Sequence, residues 1–229
     1  MKKLTALDKN EIYRYLGYDA LTHTLTPAVE ELVEEGIAEI LRAAEPRSIC
    51  SPLLPLKREE DKLWAGGLPL EGKDIAAHLE HCTQAVLLAV TVGAEVDALI
   101  RRAQAADMAK AVALDAAANA AAEAAAQAAE EELRARLAPE GLYVTGRYSP
   151  GYGDLPIGIQ RELLRLTDAP RKIGLSVTQN NIMTPRKSIT AVMGAADIPV
   201  KGKLAGCGSC ALREKCLFRK RGTTCAISN

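Results

Sequence analysis

The sequence predicts an α+β fold in which helices flank a largely antiparallel sheet, and three observations support this class. Residues 103–129 contain 17 alanines in 27 positions and neither Gly nor Pro. Because alanine has the highest helix propensity, this segment predicts one long helix. The apolar run at 85–92 predicts a buried strand. The strand patterns at 142–145, 173–178 and 188–193 follow without a regular βαβ repeat, which favours antiparallel pairing.

The segments before the buried strand carry recognisable start and stop signals. Thr26 and Pro27 are typical of a helix N-cap and first helical position, and Pro46 ends the amphipathic pattern that follows them. The proline-rich apolar segment 47–56 predicts an edge strand or an extended loop. We expect a short helix from an N-cap at Asp74 to about His81.

Beyond Pro139 the pattern becomes mixed. Asp154 and Pro156 predict the start of a helix through Leu166. Segments 173–178 and 188–193 alternate like strands and are expected to pair as a hairpin.

Composition excludes several classes of protein. Lys and Arg number 29, as do Asp and Glu, so the chain is not a globally basic nucleic-acid binder. It has no uncharged apolar run of 18 residues, which predicts no membrane span, and its charged N-terminus predicts no signal peptide. We therefore expect a cytoplasmic protein. The C-terminal tail is locally basic, but Phe218 is its single aromatic residue, which argues against nucleic-acid binding there.

A polar stripe runs along the alanine-rich segment, because Asp115, Asn119, Glu123 and Gln127 are spaced by four residues. Such a stripe is usually a solvated helix face. The alternative is that it presents an acid to a ligand.

A second group of residues, Arg147 to Pro156, lies between a predicted strand and a predicted helix. Its sequence is Arg-Tyr-Ser-Pro-Gly-Tyr-Gly-Asp-Leu-Pro. Arginine offers a planar fork that suits a carboxylate, and glycine lets the main chain approach a ligand closely. By composition alone, the segment is either a structured turn or a ligand site.

The Arg-x-x-x-Gly-Tyr element in this strand–turn–helix setting resembles the activation domain of cobalamin-dependent methionine synthase. Supporting patterns are Ile-Gly-Leu-Ser-Val-Thr at 173–178 and Met-Thr-Pro at 183–185. The resemblance runs from the alanine-rich helix to Gly194 and is looser upstream. It implies a curved antiparallel sheet flanked by helices, with residues 1–200 forming the activation-like domain and residues 201–229 a cysteine-rich tail.

The resemblance also implies a function. Domains of this family bind S-adenosylmethionine (AdoMet) and support the reductive methylation of cob(II)alamin to methylcobalamin on a partner domain. We expect Arg147 to bind the AdoMet carboxylate, the backbone at Tyr148 and Gly151 to line the adenosyl group, and Tyr152 to complete the motif. Glu123 falls where the family carries an acid near the ligand. The expected partner is the cobalamin-binding domain of a core methionine synthase or a related corrinoid protein, contacted through the concave sheet face.

Four of the six cysteines, Cys207, Cys210, Cys216 and Cys225, crowd the tail. In a cytoplasmic chain, such clusters indicate a metal site more often than disulfides. The Cys-x2-Cys-x5-Cys spacing resembles auxiliary iron–sulfur sites in radical-AdoMet enzymes, a four-thiolate zinc site follows closely, and free or redox thiols remain open.

Two functions from different classes follow. The first is a standalone reactivation component whose tail cluster delivers the electron while the Arg147 site holds the methyl donor. The second is a non-catalytic docking module for corrinoid proteins with structural zinc and no AdoMet. The segment His78-x-x-His81-Cys82 is expected to be a helix end with a buried thiol rather than part of a metal site.

Overall fold

A seven-stranded sheet lies between two layers of helices in the computed structural model, which describes residues 2–18, 25–59, 62–202 and 214–215. The helices are α1 (Lys9–Tyr15), α2 (Pro27–Ala43), α3 (Lys73–His78), α4 (Ala94–Ala106), α5 (Met108–Leu137), α6 (Gln160–Thr167) and α7 (Ala169–Ile173). The strands are β1 (Arg47–Cys50), β2 (Leu54–Glu59), β3 (Lys62–Ala65), β4 (Leu68–Leu70), β5 (Gln84–Thr91), β6 (Tyr143–Val144), β7 (Ser176–Val177), β8 (Met183–Thr184) and β9 (Ser188–Ala196). The predicted α+β class is confirmed.

All pairs in the main sheet are antiparallel, in the order β4-β3-β2-β5-β9-β6, with β1 also paired to β5. Strands β5 and β9 form the centre, with a register from Gln84 opposite Ala195 to Thr91 opposite Ser188. Val86 and Leu88 pack under α2, α4 and α5, while the alternate residue Leu87 packs under α3, α6 and α7. Helices thus cover both faces of these central strands, and the expected contact of a partner with the concave sheet face stays a prediction.

The N-terminal predictions are largely confirmed. Helix α2 begins at Pro27 and ends at Ala43. The proline-rich segment forms β1 and the start of β2, which pair with successive parts of β5 along one side. A kink between these two strands is expected where Pro52 cannot donate a ladder hydrogen bond.

The predicted long helix is confirmed as α5, although the first residues of the alanine-rich segment belong to α4. Helix α4 ends at Ala106, Asp107 is extended with a φ of −153°, and its carboxylate accepts a hydrogen bond from the Lys110 amide at 3.1 Å. Asp107 therefore caps the 30-residue α5. Small side chains let α5 approach its neighbours closely: a Cβ added at Gly36 of α2 would lie 3.5 Å from the Ala113 carbonyl.

Three predictions in the C-terminal half are wrong. Residues 173–178 do not form one strand, because α7 extends to Ile173 and only β7 follows. Strand β7 pairs with β8, while β9 is a central strand of the main sheet. The helix expected to begin at Asp154 begins at Gln160, after a 3-10 turn at Ile157–Ile159. Among the described residues, no helix is long and apolar enough to cross a membrane.

Candidate ligand-binding site

The candidate site is built around an irregularity in the edge of the sheet that precedes the Arg-x-x-x-Gly-Tyr loop. Thr145 pairs with Gly194, its amide donating to the Gly194 carbonyl at 2.9 Å. Tyr148 pairs with Val192 through two backbone bonds of 3.0 and 2.8 Å. Three residue steps on the edge therefore oppose two on β9, which is the geometry of a β-bulge. The bulge falls at Gly146 and Arg147.

Polar groups displaced by the bulge find partners within the protein. The Gly194 amide donates to the Thr145 hydroxyl at 2.8 Å instead of to a carbonyl. Arg134 on α5 donates to the carbonyls of Val144 and Thr145, the latter at 2.9 Å. The Gly146 amide donates to the Lys201 carbonyl at 3.3 Å. Because these groups are satisfied, the bulge is a supported feature of the fold.

The buried ring of His78 also supports the bulge. Its Nε2 lies 3.0 Å from both the Gly146 carbonyl and the Thr145 hydroxyl. The chain after β9 returns to this point, since a Cβ added at Gly202 would lie 2.7 Å from His78 Nδ1. His78 therefore has a structural position, as expected from the sequence.

Arg147 extends from the bulge to α5 and is held there by two glutamates. Its Nε donates to Glu130 at 3.0 Å and its Nη1 donates to Glu123 at 3.1 Å. Glu130 is buried and also accepts from Arg134, with Nη2 at 2.6 Å. The Glu123 side chain is 37% exposed and that of Arg147 is 20% exposed. The structure thus brings together Arg147 and Glu123, as predicted, and adds Glu130. The sequence did not indicate Glu130, because it lies outside the stripe of polar residues spaced by four.

The tyrosines of the motif form a second group. Tyr148 belongs to the core cluster on the α3 and α6 side of the sheet, and only 6% of it is exposed. Its ring contacts Tyr152 edge-on, with centroids 6.2 Å apart. Tyr152 is 52% exposed. Because Arg147 contacts α5 and Tyr148 packs against residues of α3 and α6, the two side chains lie on opposite sides of the sheet edge.

Several backbone donors of the loop are already engaged. The Tyr148 amide bonds to Val192, the Gly151 amide to Leu155 at 2.9 Å, and the Tyr152 amide to Ser149 at 3.1 Å. The loop can therefore offer ring faces and carbonyl oxygens to a ligand more readily than these three N–H groups.

Asp154 holds this loop in place through a contact that the sequence did not reveal. Its carboxylate accepts from the Lys73 amide at 2.6 Å and the Asp74 amide at 3.1 Å, so it caps α3 from 80 residues away. Gly72, with a φ of +136°, makes room for it, since a Cβ there would lie 2.8 Å from the Asp154 carboxyl carbon. The predicted N-cap at Asp74 is wrong: Gly72 occupies that position and Asp154 supplies the acceptor.

Burial raises the pKa of Tyr148 to about 12, and the carboxylates of Asp74 and Asp154 add to the shift by disfavouring a nearby phenolate. Tyr148 is therefore a neutral phenol at physiological pH.

The polar stripe of α5 is a seam of contacts and not simply a solvated face. Lys187 reaches Asp115 at 2.8 Å and the Asn119 side-chain oxygen at 2.7 Å, next to the Glu123 contact. Gln127 is exposed, the other three residues of the stripe are partly buried, and the Gln127 amide donates to Glu131 on the same helix. Three of the four stripe residues thus fasten α5 to the sheet edge and to the start of β9.

The cysteines divide into two sets. Cys82 is buried and Cys50 partly buried, and burial raises the pKa of both thiols. The predicted ligands Cys207, Cys210, Cys216 and Cys225 lie outside the described residues. Within the described ranges, no group of three or more His, Cys, Asp or Glu side chains could hold a metal ion.

Comparisons with known proteins agree with this architecture. The structure is similar to a crystal structure of the MetH reactivation domain bound to AdoHcy, with a TM-score of 0.63 and 16% identity over 95% of this chain and 82% of that one. No curated protein matches the sequence. The family model for the vitamin B12 dependent methionine synthase activation domain matches residues 73–199, which is more than half of the chain and includes α5, the bulge, the loop and β9. The chain therefore belongs to the family of vitamin B12-dependent methionine synthase activation domains.

Proposed function

We propose that this protein is a standalone reactivation component that binds AdoMet at the sheet edge beside α5 and presents it to a cobalamin-binding partner. The observation that carries the proposal is the bulge, which turns Arg147 out of the strand and onto Glu123. The fold neighbour bound to AdoHcy (S-adenosylhomocysteine), which is AdoMet without its transferable methyl group, supports this ligand class.

The residues present fit the amino-acid end of AdoMet. The Arg147 guanidinium is positioned by Glu130 through Nε, and its Nη1–Nη2 edge, where Nη1 contacts Glu123, can bind a carboxylate as a fork. Glu123 offers a negative charge beside it for an ammonium or sulfonium group. Their partial burial strengthens both interactions over those of a fully exposed pair.

The fit at the adenosyl end depends on the loop. The exposed ring of Tyr152, braced edge-on by Tyr148, offers an apolar face for a flat base. The positive φ of Gly151, +86°, lets the loop turn beside Ile157, where a side chain would crowd it. A ligand that touches both Arg147 and Tyr152 would lie across the edge of the sheet.

The residues of this chain need not take part in a covalent step themselves. When bound, AdoMet supplies a methyl group already activated on a sulfonium, which together with one electron from a reductant converts cob(II)alamin on the partner to methylcobalamin and releases S-adenosylhomocysteine. The residues of this chain bind and orient the donor and exclude water from it. A general base is not required. The partner proposed here is the cobalamin-binding domain of a core methionine synthase or a related corrinoid protein.

We further propose that the cysteine-rich tail holds an iron–sulfur cluster that supplies this electron, with zinc as the alternative. The tail leaves the described structure at Gly202, which packs against His78 and the bulge. Cys207 follows Gly202 by five residues in the sequence, and this short separation supports a role for the tail beside the candidate AdoMet site.

The first experiment is calorimetric titration of AdoMet into the full, anaerobically purified chain. We expect saturable binding in the wild type and its loss in Arg147→Ala. Arg165→Ala is the matched control, because Arg165 also pairs with a glutamate but lies on the exposed surface of α6. Circular dichroism of both variants checks that the fold is retained. Silence in the wild type, both alone and with the corrinoid partner present, would overturn the AdoMet assignment.

The second experiment concerns the tail. Iron, sulfide and zinc analysis of the anaerobic protein identifies the metal. Replacing Cys207 and Cys210 with serine should abolish reduction of cob(II)alamin and leave AdoMet binding intact. Loss of both properties would show that the tail is structural, and stoichiometric zinc without iron would favour a docking module.

A further inference from the structure

The ion pairs around Arg147 differ in how firmly they are held. Glu130 is 8% exposed and binds Arg147 and Arg134 together. Glu123 binds Arg147 through Nη1 alone, and its side chain is 37% exposed. Glu130 is therefore the fixed counter-ion of Arg147, and Glu123 is the one that can leave.

This asymmetry decides how a ligand carboxylate can reach Arg147. A guanidinium binds a carboxylate through two neighbouring N–H groups, and the edge that contains Nε is occupied by Glu130. The remaining edge, Nη1 with Nη2, is shared with Glu123. Because Glu123 already binds Nη1, a carboxylate that forks across this edge competes with Glu123 for Arg147.

Displacement leaves the carboxylate of Glu123 without its cation. A ligand that carries only a carboxylate gains one ion pair and breaks another. A ligand whose carboxylate stands beside an ammonium supplies the missing cation, so that two ion pairs replace one. The site thus distinguishes ligands by whether both charges are present.

We propose that ligand binding exchanges the Arg147–Glu123 ion pair for two ion pairs with the zwitterionic amino-acid end of the ligand, while Glu130 retains Arg147. This inference rests on the proposed function and deepens it. In the ligand-free protein, Glu123 stands in for the ligand carboxylate and makes the site selective for zwitterions.

The test is calorimetric titration of the full chain with three probes that share the adenosyl thioether. S-Adenosylhomocysteine carries both charges, its deaminated analogue carries only the carboxylate, and methylthioadenosine carries neither. In the wild type we expect S-adenosylhomocysteine to bind at least about tenfold more tightly than the other two, the effect of one charge-assisted contact.

The decisive variant is Glu123→Gln. It should weaken S-adenosylhomocysteine about tenfold and strengthen the deaminated analogue, because the carboxylate no longer competes with Glu123 for Arg147. A purely structural role of Glu123 would weaken every probe alike. Glu131→Gln, on the exposed face of the same helix, is the matched control and should change neither affinity.

The outcomes separate the two proposals. Tight S-adenosylhomocysteine binding with no gain of the deaminated analogue in Glu123→Gln would overturn the exchange and leave the proposed function standing. Silence of all three probes in the wild type would overturn the proposed function and the exchange with it.

Discussion

Replacing Glu130 by glutamine should destabilise the fold although it hardly changes the shape of the side chain. Glu130→Gln keeps the volume but removes the negative charge between Arg134 and Arg147. The amide can accept from one arginine through its oxygen, while its NH2 group then faces the other arginine, donor against donor. One charge-assisted contact is lost and a second is weakened.

The magnitude follows from burial. The contact to Arg147 joins side chains that are 11% and 20% exposed, so it is worth about 1.5–3 kcal/mol. Arg134 is 41% exposed, and solvent screening reduces its share to about 0.5–1 kcal/mol. We expect a total loss of about 2–4 kcal/mol, which for a chain of this size lowers Tm by roughly 4–16 °C.

Urea unfolding followed by circular dichroism measures this loss, with thermal melts as a second readout. The matched control is Glu162→Gln, which removes an exposed pair with Arg165 on α6 and should change stability by less than about 0.5 kcal/mol. If Glu130→Gln were no more destabilising than this control, the buried clamp on Arg147 would not exist in solution. An unchanged m-value is required for the comparison, since it shows that both variants unfold from equally compact states.

Three further predictions test the surroundings of the site. Asp154→Ala removes the cap of α3 and should cost about 1–2 kcal/mol of stability and weaken AdoMet binding. Asp107→Ala removes the cap of α5 and should lower stability alone. If calorimetry gave both variants the same AdoMet affinity, Asp154 would not hold the loop for the ligand. Gly194→Ala should destabilise the protein by about 1–3 kcal/mol, because its Cβ would overlap the Cys82 thiol. Gly36→Ala should stabilise it by about 0.5–1 kcal/mol, because there is room for the Cβ and alanine favours a helix. Urea midpoints that move in the same direction in both variants would refute this packing argument. The pKa of Tyr148 is about 12 in the folded protein and 10 in the unfolded chain, so the contribution of this phenol to the free energy of unfolding is complete below pH 10 and falls by about 1.4 kcal/mol per pH unit between pH 10 and pH 12. In Tyr148→Phe, the free energy of unfolding should fall less steeply over this pH range. An unchanged slope would show that the phenol is not buried.

The elements that were predicted correctly have local causes. Helix α2 is set by Thr26 and Pro27 at its start, and β5 by its continuous apolar run, so neighbouring residues contain the necessary information. The wrong pairing of segment 173–178 has a different cause. Its alternation suits a strand, but Pro170 at the start of α7 and the completed pairing of β9 with β5 and β6 leave it only a two-residue contact with β8. Pairing depends on which partners are available, and no local pattern records that.

Asp154 shows the same limit at the site. An aspartate followed by proline and an apolar run is a reasonable N-cap for the next helix, and its side chain does cap a helix. The helix is α3, whose first amides it meets because Gly72 leaves the space. Sequence therefore identified the capping chemistry but not its target. Glu130 was missed for a similar reason, because its role depends on Arg147, 17 residues away and across the bulge.

The bulge links these observations. An edge strand without the extra residue would direct Arg147 by the regular alternation of the sheet and would pair the Thr145 carbonyl with the Gly194 amide, so that Arg134 could not use it. The extra residue of the bulge therefore leaves the Thr145 carbonyl to accept from Arg134 and directs the Arg147 side chain toward α5. Glu130 lies between the two arginines and pairs with both, so the contact that supports the edge strand also orients Arg147. Variants that weaken this support should therefore lose stability and ligand affinity together, whereas Glu123→Gln should alter ligand selectivity with little loss of stability.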